Sequence, residues 1–246
     1  MKEVKPYINE PESKKHQVAS MFNAIAGRYD FLNHVLSLGI DRYWRKKTIE
    51  LLRGSHPRII LDLATGTGDL AIAAMKLNPE KITGIDISEE MLQIGKRKIE
   101  NLYLQKIISL EKGDSENLHF PDHSFDAVTV AFGIRNFENM VPGLNEIHRV
   151  LKPGGKVVIL EFSMPRIFPV KQLYHFYFKY KLPFIGKIIS KDVAAYSYLY
   201  QSVQAFPEPG KFNVLLTQSG FKNVKYKSLT FGIVHTFYGE KYIQKG

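Results

Sequence analysis

The 246-residue chain has no cysteine, which removes disulfides, thiolate metal sites, iron–sulfur clusters and cysteine nucleophiles at once. It has a single tryptophan and no apolar run approaching the roughly 18 residues that a membrane-spanning helix needs. The first fifteen residues, MKEVKPYINEPESKK, have no apolar centre and do not read as a leader, so a soluble, cytoplasmic protein is expected. No HExxH, EF-hand loop or similar ligand spacing occurs, and no metal is expected. Acidic residues are the minority, 24 against 34 Lys+Arg, for a net charge of +10. The excess sits at the two ends: residues 1–60 hold 11 basic and 6 acidic side chains, 61–160 hold 11 and 14, and 161–246 hold 12 and 4. Basic flanks attract nucleic acid, anionic lipid or acidic substrates without choosing among them.

What is present is enough for one large domain with a sizeable core. Residues 1–17, charged and carrying Pro6 and Pro11, read as a flexible tail. From Val18 to Leu52 apolar residues recur at helical spacing, with interruptions at Gly27 and Gly39, so residues 18–56 read as a cap of two or three helices. Between 57 and 162 the pattern alternates. Strands are expected at Arg58–Leu63, Lys81–Ile85, Ile107–Glu111, Phe125–Ala131 and Lys156–Glu161, with helices at Ser88–Leu102 and Asn139–Leu151 and a turn at Lys152-Pro153-Gly154-Gly155. Buried strands separated by helices predict an α/β fold with a parallel sheet covered on both faces. Residues 163–212 break the rhythm and predict a helical lid. Of the 30 aromatics, 11 fall between Phe168 and Phe206, with Lys171, Lys179, Lys181, Lys187 and Lys191 among them. Residues 213–246 predict a final helix and a hairpin turning near Gly232.

The stretch IILDLATGTGDL, Ile59 to Leu70, runs a strand into a glycine turn where a backbone can approach a ligand closely. Gly66-x-Gly68-x-x-Ala71 with Asp86 twenty residues after Gly66 fits a dinucleotide fingerprint, so NAD and S-adenosylmethionine are both served by this motif. Three features favour S-adenosylmethionine. Asp62 ends the first strand, where a carboxylate suits an ammonium better than a pyrophosphate. Asp114 and Ser115 follow the third strand, where an acceptor could meet an adenine amine. The terminal hairpin closes the sheet differently from a dinucleotide domain.

In this order the elements resemble the class I S-adenosylmethionine-dependent methyltransferases, a Rossmann-like sheet closed by an antiparallel hairpin. The usual D-x-G-x-G-x-G appears as Asp62-Leu63-Ala64-Thr65-Gly66-Thr67-Gly68, with Ala64 for the first glycine. The resemblance implies that Asp62, Gly66, Thr67 and Gly68 face the methionine end of S-adenosyl-L-methionine, Asp86 the ribose, and Asp114 with Ser115 the adenine. Tyr29-Asp30-Phe31-Leu32-Asn33, then Ser37, Gly39, Arg42, Trp44 and Arg45, together with Arg149 to Gly155 and Phe132-Gly133-Ile134-Arg135-Asn136-Phe137, resemble the demethylmenaquinone and ubiquinone-biosynthesis C-methyltransferases over residues 18–240. That family commonly has Met at the place of Leu32, and His or Gln at that of Asp41.

The resemblance implies C-methylation of a prenylated quinol, demethylmenaquinol before a benzoquinol. With no cysteine, the acceptor ring must supply the nucleophile after losing a hydroxyl proton. A phenol of pKa about 10 needs its anion stabilised, and burial alone opposes that. Arg135, always cationic, is the candidate stabiliser, with a salt bridge to Glu138 or a neighbouring helix as its structural alternative. The base is left open among a water held by Tyr29, Asp30 or Asn33 and the eight histidines, of which His34, His119 and His123 stand nearest the motifs. Tyr43 and Trp44 read as a staple of the helical cap. The aromatic, lysine-dotted lid and the basic N-terminal helices are expected to touch anionic membrane while covering a prenyl tail. No nucleic-acid module or Asn/Asp-Pro-Pro-aromatic motif is present, and no nucleic acid is expected.

Overall fold

Strand β1 (Ile59–Leu63) alternates its side chains across the sheet, Ile60 to one face and Leu61 and Leu63 to the other, and all three are fully buried. The computed structural model describes residues 4–176 and 193–242. In it β1 is joined by β2 (Lys81–Asp86), β3 (Ile108–Lys112), β4 (Phe125–Ala131), β5 (Leu151–Phe162), β6 (Phe221–Leu229) and β7 (Val234–Lys241), in the order β3-β2-β1-β4-β5-β7-β6. Strands β1 to β5 run parallel, and β7 lies antiparallel between β5 and β6. The expected Rossmann-like sheet with a terminal hairpin is therefore present.

Two apolar layers clamp it. Ile49 and Leu52 at the end of α2 (Asp41–Glu50), Leu70, Ala71 and Ala74 of α3 (Asp69–Ala74), and Leu92 and Ile99 of α4 (Glu89–Asn101) cover one face over Ile60, Ile82 and Val158. Leu144, Ile147 and Val150 of α5 (Met140–Val150) and Phe212 and Leu216 of α8 (Pro209–Gln218) cover the other, over Leu61, Val128, Ile159 and Phe237. Helix α4 starts where it does because the Ser88 hydroxyl accepts from the Met91 N–H and two glutamates fill the first turn.

A long helix, α1 (Lys14–Leu36), lies over the carboxyl ends of the strands. It buries Val18 and Met21 against Tyr174 of α6 (Val170–Phe176) and Ala195 and Tyr198 of α7 (Val193–Ala205). Gly27 does not break it, and only the turn at Gly39 (φ +76°) separates α1 from α2. The expected tail is also corrected. Lys14 to Gln17 belong to α1, Lys14 Nζ donates to the carbonyls of Arg135 (3.1 Å) and Phe137 (2.6 Å), and the buried Gln17 amide donates to the Glu10 and Glu12 carbonyls while accepting from Tyr7 N–H. These anchors are polar, so hydrophobic spacing does not reveal them.

Lys152 to Gly155 form part of β5 rather than a free turn. Phe125 pairs with Leu151, and pairing resumes with Ala127 opposite Lys156, so the extra residues make a bulge with Gly154 at φ +79°. The hairpin turns at Thr230–Gly232 as expected. Of the lid, Tyr177, Phe178, Tyr180, Phe184 and the lysines at 179, 181, 187 and 191 lie outside the described residues.

Candidate active site

The turns that follow β1, β2, β3 and β4 meet at one cleft, as the carboxyl ends of parallel strands do where the chain changes direction in the sheet. Gly66, Asp86, Asp114 and Ser115 line it, with Ile87, Met91, Gly133 and Asn136, and Lys15, Val18, Phe22 and Tyr29 of α1 close it from above. Asp86 is pinned: one oxygen accepts the Gly66 N–H and the other the Ser88 N–H, each at 2.8 Å. Burial pushes its carboxyl up, and those N–H bonds oppose the shift. Asp114 accepts from the Glu116 N–H (2.9 Å) and from Lys15 Nζ (2.6 Å). Ala64 holds φ +49°, a left-handed conformation that the usual glycine adopts without strain. A Cβ on Gly133 would lie 2.4 Å from the Ala64 Cβ, so only glycine permits the β1 and β4 turns to approach this closely.

Three residues expected to face the cofactor do not line the cleft. Asp62 is 1% exposed beneath the turn, its oxygens accepting the hydroxyls of Thr65 and Thr129, both at 2.6 Å. Burial lifts its pKa to about 6 against those bonds. The Thr67 hydroxyl donates to Asp30 of α1 (2.6 Å), and Lys98 reaches Thr67, Asp30 and Asp69. Gly68, at φ +82°, starts α3 close to Leu110 and Ile99. Asp62 and Thr67 are engaged by neighbouring polar side chains, and Gly68 shapes the turn through its backbone.

A second, mostly apolar cavity of about 510 Å³ adjoins the cleft, and Phe22, Tyr29, Phe132 and Asn136 line both. Met21, Ile25, Leu38, Ile40, Trp44, Phe162, Leu173 and Ile233 supply apolar wall. Tyr29 and Asn33 face it at i, i+4 spacing along α1, and Ser37 lies just past the end of that helix. Burial raises the Tyr29 phenol, while the neighbouring Asn33, Arg135 and Arg45 act to lower it. Trp44, expected as a staple, lines the cavity and donates to the Thr230 hydroxyl at 2.7 Å, whereas Tyr43 is exposed.

Arg135 comes from the short turn Ile134–Asn136 and faces this cavity. Its partner is not Glu138 but Glu161, at the end of β5: Nη1 donates to Glu161 Oε1 at 2.6 Å and to the Phe132 carbonyl. Its buried Nε has no hydrogen-bond partner among the described residues. Glu161 escaped the sequence reading, because a glutamate ending a strand carries no spacing signal, and Asn136 entered it only as part of the string Phe132 to Phe137. Asp41, the departure from the usual signature, is bonded to His34 (3.0 Å), Ser37 and Arg45. His34, Asp41 and Asp69 approach within 4.8 Å of one another, but Arg45 and Lys98 already pair with their carboxylates. His119 pairs with Glu111, and His123 lies against Lys241, both away from the two cavities.

Residues 10–241 match the model of the ubiE/COQ5 methyltransferase family. A demethylmenaquinone methyltransferase of Bacteroides fragilis is 49% identical over 231 residues, 94% of each chain. A ubiquinone/menaquinone biosynthesis C-methyltransferase UbiE of Geotalea daltonii is 48% identical over 230 residues, covering 93% of this chain and 97% of its own. Among solved structures, a SAM-dependent methyltransferase of Thermotoga maritima superposes with a TM-score of 0.64 at 17% identity, over 91% of this chain and 99% of that one, which is a likeness of fold.

Proposed function

The chain belongs to the ubiE/COQ5 methyltransferase family, as an S-adenosyl-L-methionine-dependent C-methyltransferase of quinone biosynthesis, and from that premise we propose that its acceptor is demethylmenaquinol. A prenylated methoxybenzoquinol of ubiquinone synthesis is the alternative, since relatives carry both names. The observation that carries the reading is Arg135: a buried guanidinium facing an apolar cavity, one side held by Glu161 and the Nε–H left without an acceptor. A quinol oxygen would complete it. Such an oxygen turns from hydroxyl to anion as the ring becomes nucleophilic, and a donor already fixed in a water-poor site stabilises that charge as it develops.

In this reading Gly66, Asp86, Asp114 and Ser115 hold the nucleoside end of the cofactor, and Asp62, Thr67 and Gly68 support the turn. The cofactor supplies a methyl group activated by its sulfonium. Tyr29 and Asn33 orient the acceptor against it, since Tyr29 lines both cavities. Arg135 cannot take the proton near neutral pH, so the base is another group or a water. Label carried from S-adenosylmethionine to a short-chain demethylmenaquinone only after chemical reduction is the expected result, with a benzoquinol run alongside. No transfer to either quinol despite cofactor binding would refute it.

A contact with the inner face of the membrane fits the same cavity. Leu38, Leu173 and Phe231 line it and are 86%, 64% and 69% exposed, and Phe168 and Phe176 stand exposed beside Lys171 on the same lid segment. No helix among the described residues is long and apolar enough to cross a membrane, so the contact would be peripheral. Flotation with anionic liposomes at low salt, lost with neutral lipid, is the expected outcome; absence of flotation counts against it.

A further inference from the structure

Glu161 is a fully buried carboxylate in direct contact with the Arg135 side chain, and it lines neither cavity. It closes a small circuit. Oε1 accepts from Arg135 Nη1 (2.6 Å) and the Phe162 N–H (2.8 Å), and Oε2 accepts from the Arg135 backbone N–H (3.3 Å). The same carboxylate therefore fixes both the backbone and the side chain of Arg135. The guanidinium also lies 5.6 Å over the Phe162 ring, the residue next to Glu161 on β5. Nη1 is spent on Glu161 and the Phe132 carbonyl, and Nε is a buried donor with no partner among the described residues.

Resting on the reading of Arg135 as the contact for the acceptor oxygen, we infer that Glu161 is a positioning residue that aims that guanidinium and cancels its charge, so that the site selects neutral ring hydroxyls over ring carboxylates. An arginine alone in an apolar cavity binds a carboxylate bidentately and holds it. Paired with a buried glutamate it still donates, but the pair carries no net charge, and a carboxylate entering beside Glu161 meets like charge in a poorly screened interior. A neutral phenol meets no such penalty. A carboxylate brings its full charge in and meets the penalty on binding, whereas the phenol enters neutral and its charge develops only during methyl transfer, on an oxygen already bonded to the guanidinium.

Trp44 is the only tryptophan and lines the cavity, so quenching of its fluorescence reads occupancy without turnover. The probes are 1-naphthol and 1-hydroxy-2-naphthoate, titrated against the unchanged chain, Glu161→Gln and Glu161→Asp. Glu161→Gln should bind the carboxylate probe about tenfold or more tightly, bind 1-naphthol within about twofold, and lose kcat with little change in cofactor affinity. Glu161→Asp keeps the charge but withdraws it by one methylene, so it should keep the preference against the carboxylate while losing kcat. An unchanged probe preference in Glu161→Gln, or unchanged kcat in Glu161→Asp, would overturn the assignment, as would equal losses for both probes and the cofactor. Because the probes are read by binding, a chain that methylates neither quinol could still discriminate between them, which separates failure of the acceptor reading from failure of this one.

Discussion

An Arg135→Ala chain should turn over reduced acceptor about a hundred to a thousandfold more slowly, while its affinity for S-adenosylmethionine stays within a few fold. The magnitude is that of removing a donor aimed at developing negative charge. The split follows from position: Arg135 lines the apolar cavity, whereas the cleft expected to take the cofactor is walled by Gly66, Asp86 and Asp114. Alanine also strands Glu161, which is fully buried and would have to take up a proton or unbalance the fold. Arg135→Lys is therefore the companion variant. It keeps a cation for Glu161 but not the planar fork, and should still lose at least about tenfold in kcat. Single-turnover rates with prereduced quinol, beside cofactor titrations, make the measurement; equal losses in rate and cofactor affinity would remove Arg135 from the chemistry.

The second large effect has the opposite sign. Asp62→Asn should raise the stability of the ligand-free chain at neutral pH by about 3 kcal/mol. Burial lifts the Asp62 carboxyl to about 6 from its ordinary 3.8, so the folded state holds this proton more tightly than the unfolded chain does. The stability gained from that proton is fully present below about 3.8 and is lost as pH rises through about 6. An amide does not titrate and can still bond with Thr65 and Thr129. The gap between variant and parent should therefore be wide at pH 7.5 and close towards pH 4, as read by urea denaturation at both values. A parent that is the more stable at pH 7.5 would contradict it.

Much of this was legible in the chain. The parallel strands announced themselves because β1, β2 and β4 are buried on both faces and so are apolar almost throughout. The glycine turn and Asp86 were legible because close backbone approach restricts residue choice. The N-terminal segment was misjudged for the converse reason: Lys14 and Gln17 are anchored by main-chain carbonyls, which a hydrophobic pattern cannot register. Asp62, Thr67 and Gly68 lie in the expected turn, but their packing against Thr65, Thr129, Asp30 and Leu110 was not legible, since spacing locates a loop without saying which way a side chain points. Arg135 was singled out, but its partner lies 26 residues away on β5, and only the sheet brings Glu161 beneath it.

The wall formed by Phe22, Tyr29, Phe132 and Asn136 has a consequence beyond catalysis. Its two sides suit reagents that do not share a solvent, a charged nucleoside dissolved in water and a long-tailed lipid that water excludes. Neither has to enter the other's phase, because only one carbon atom crosses. On the proposed assignment of the two cavities, this shared wall is the boundary between those phases, and its residues set how far the carbon must travel.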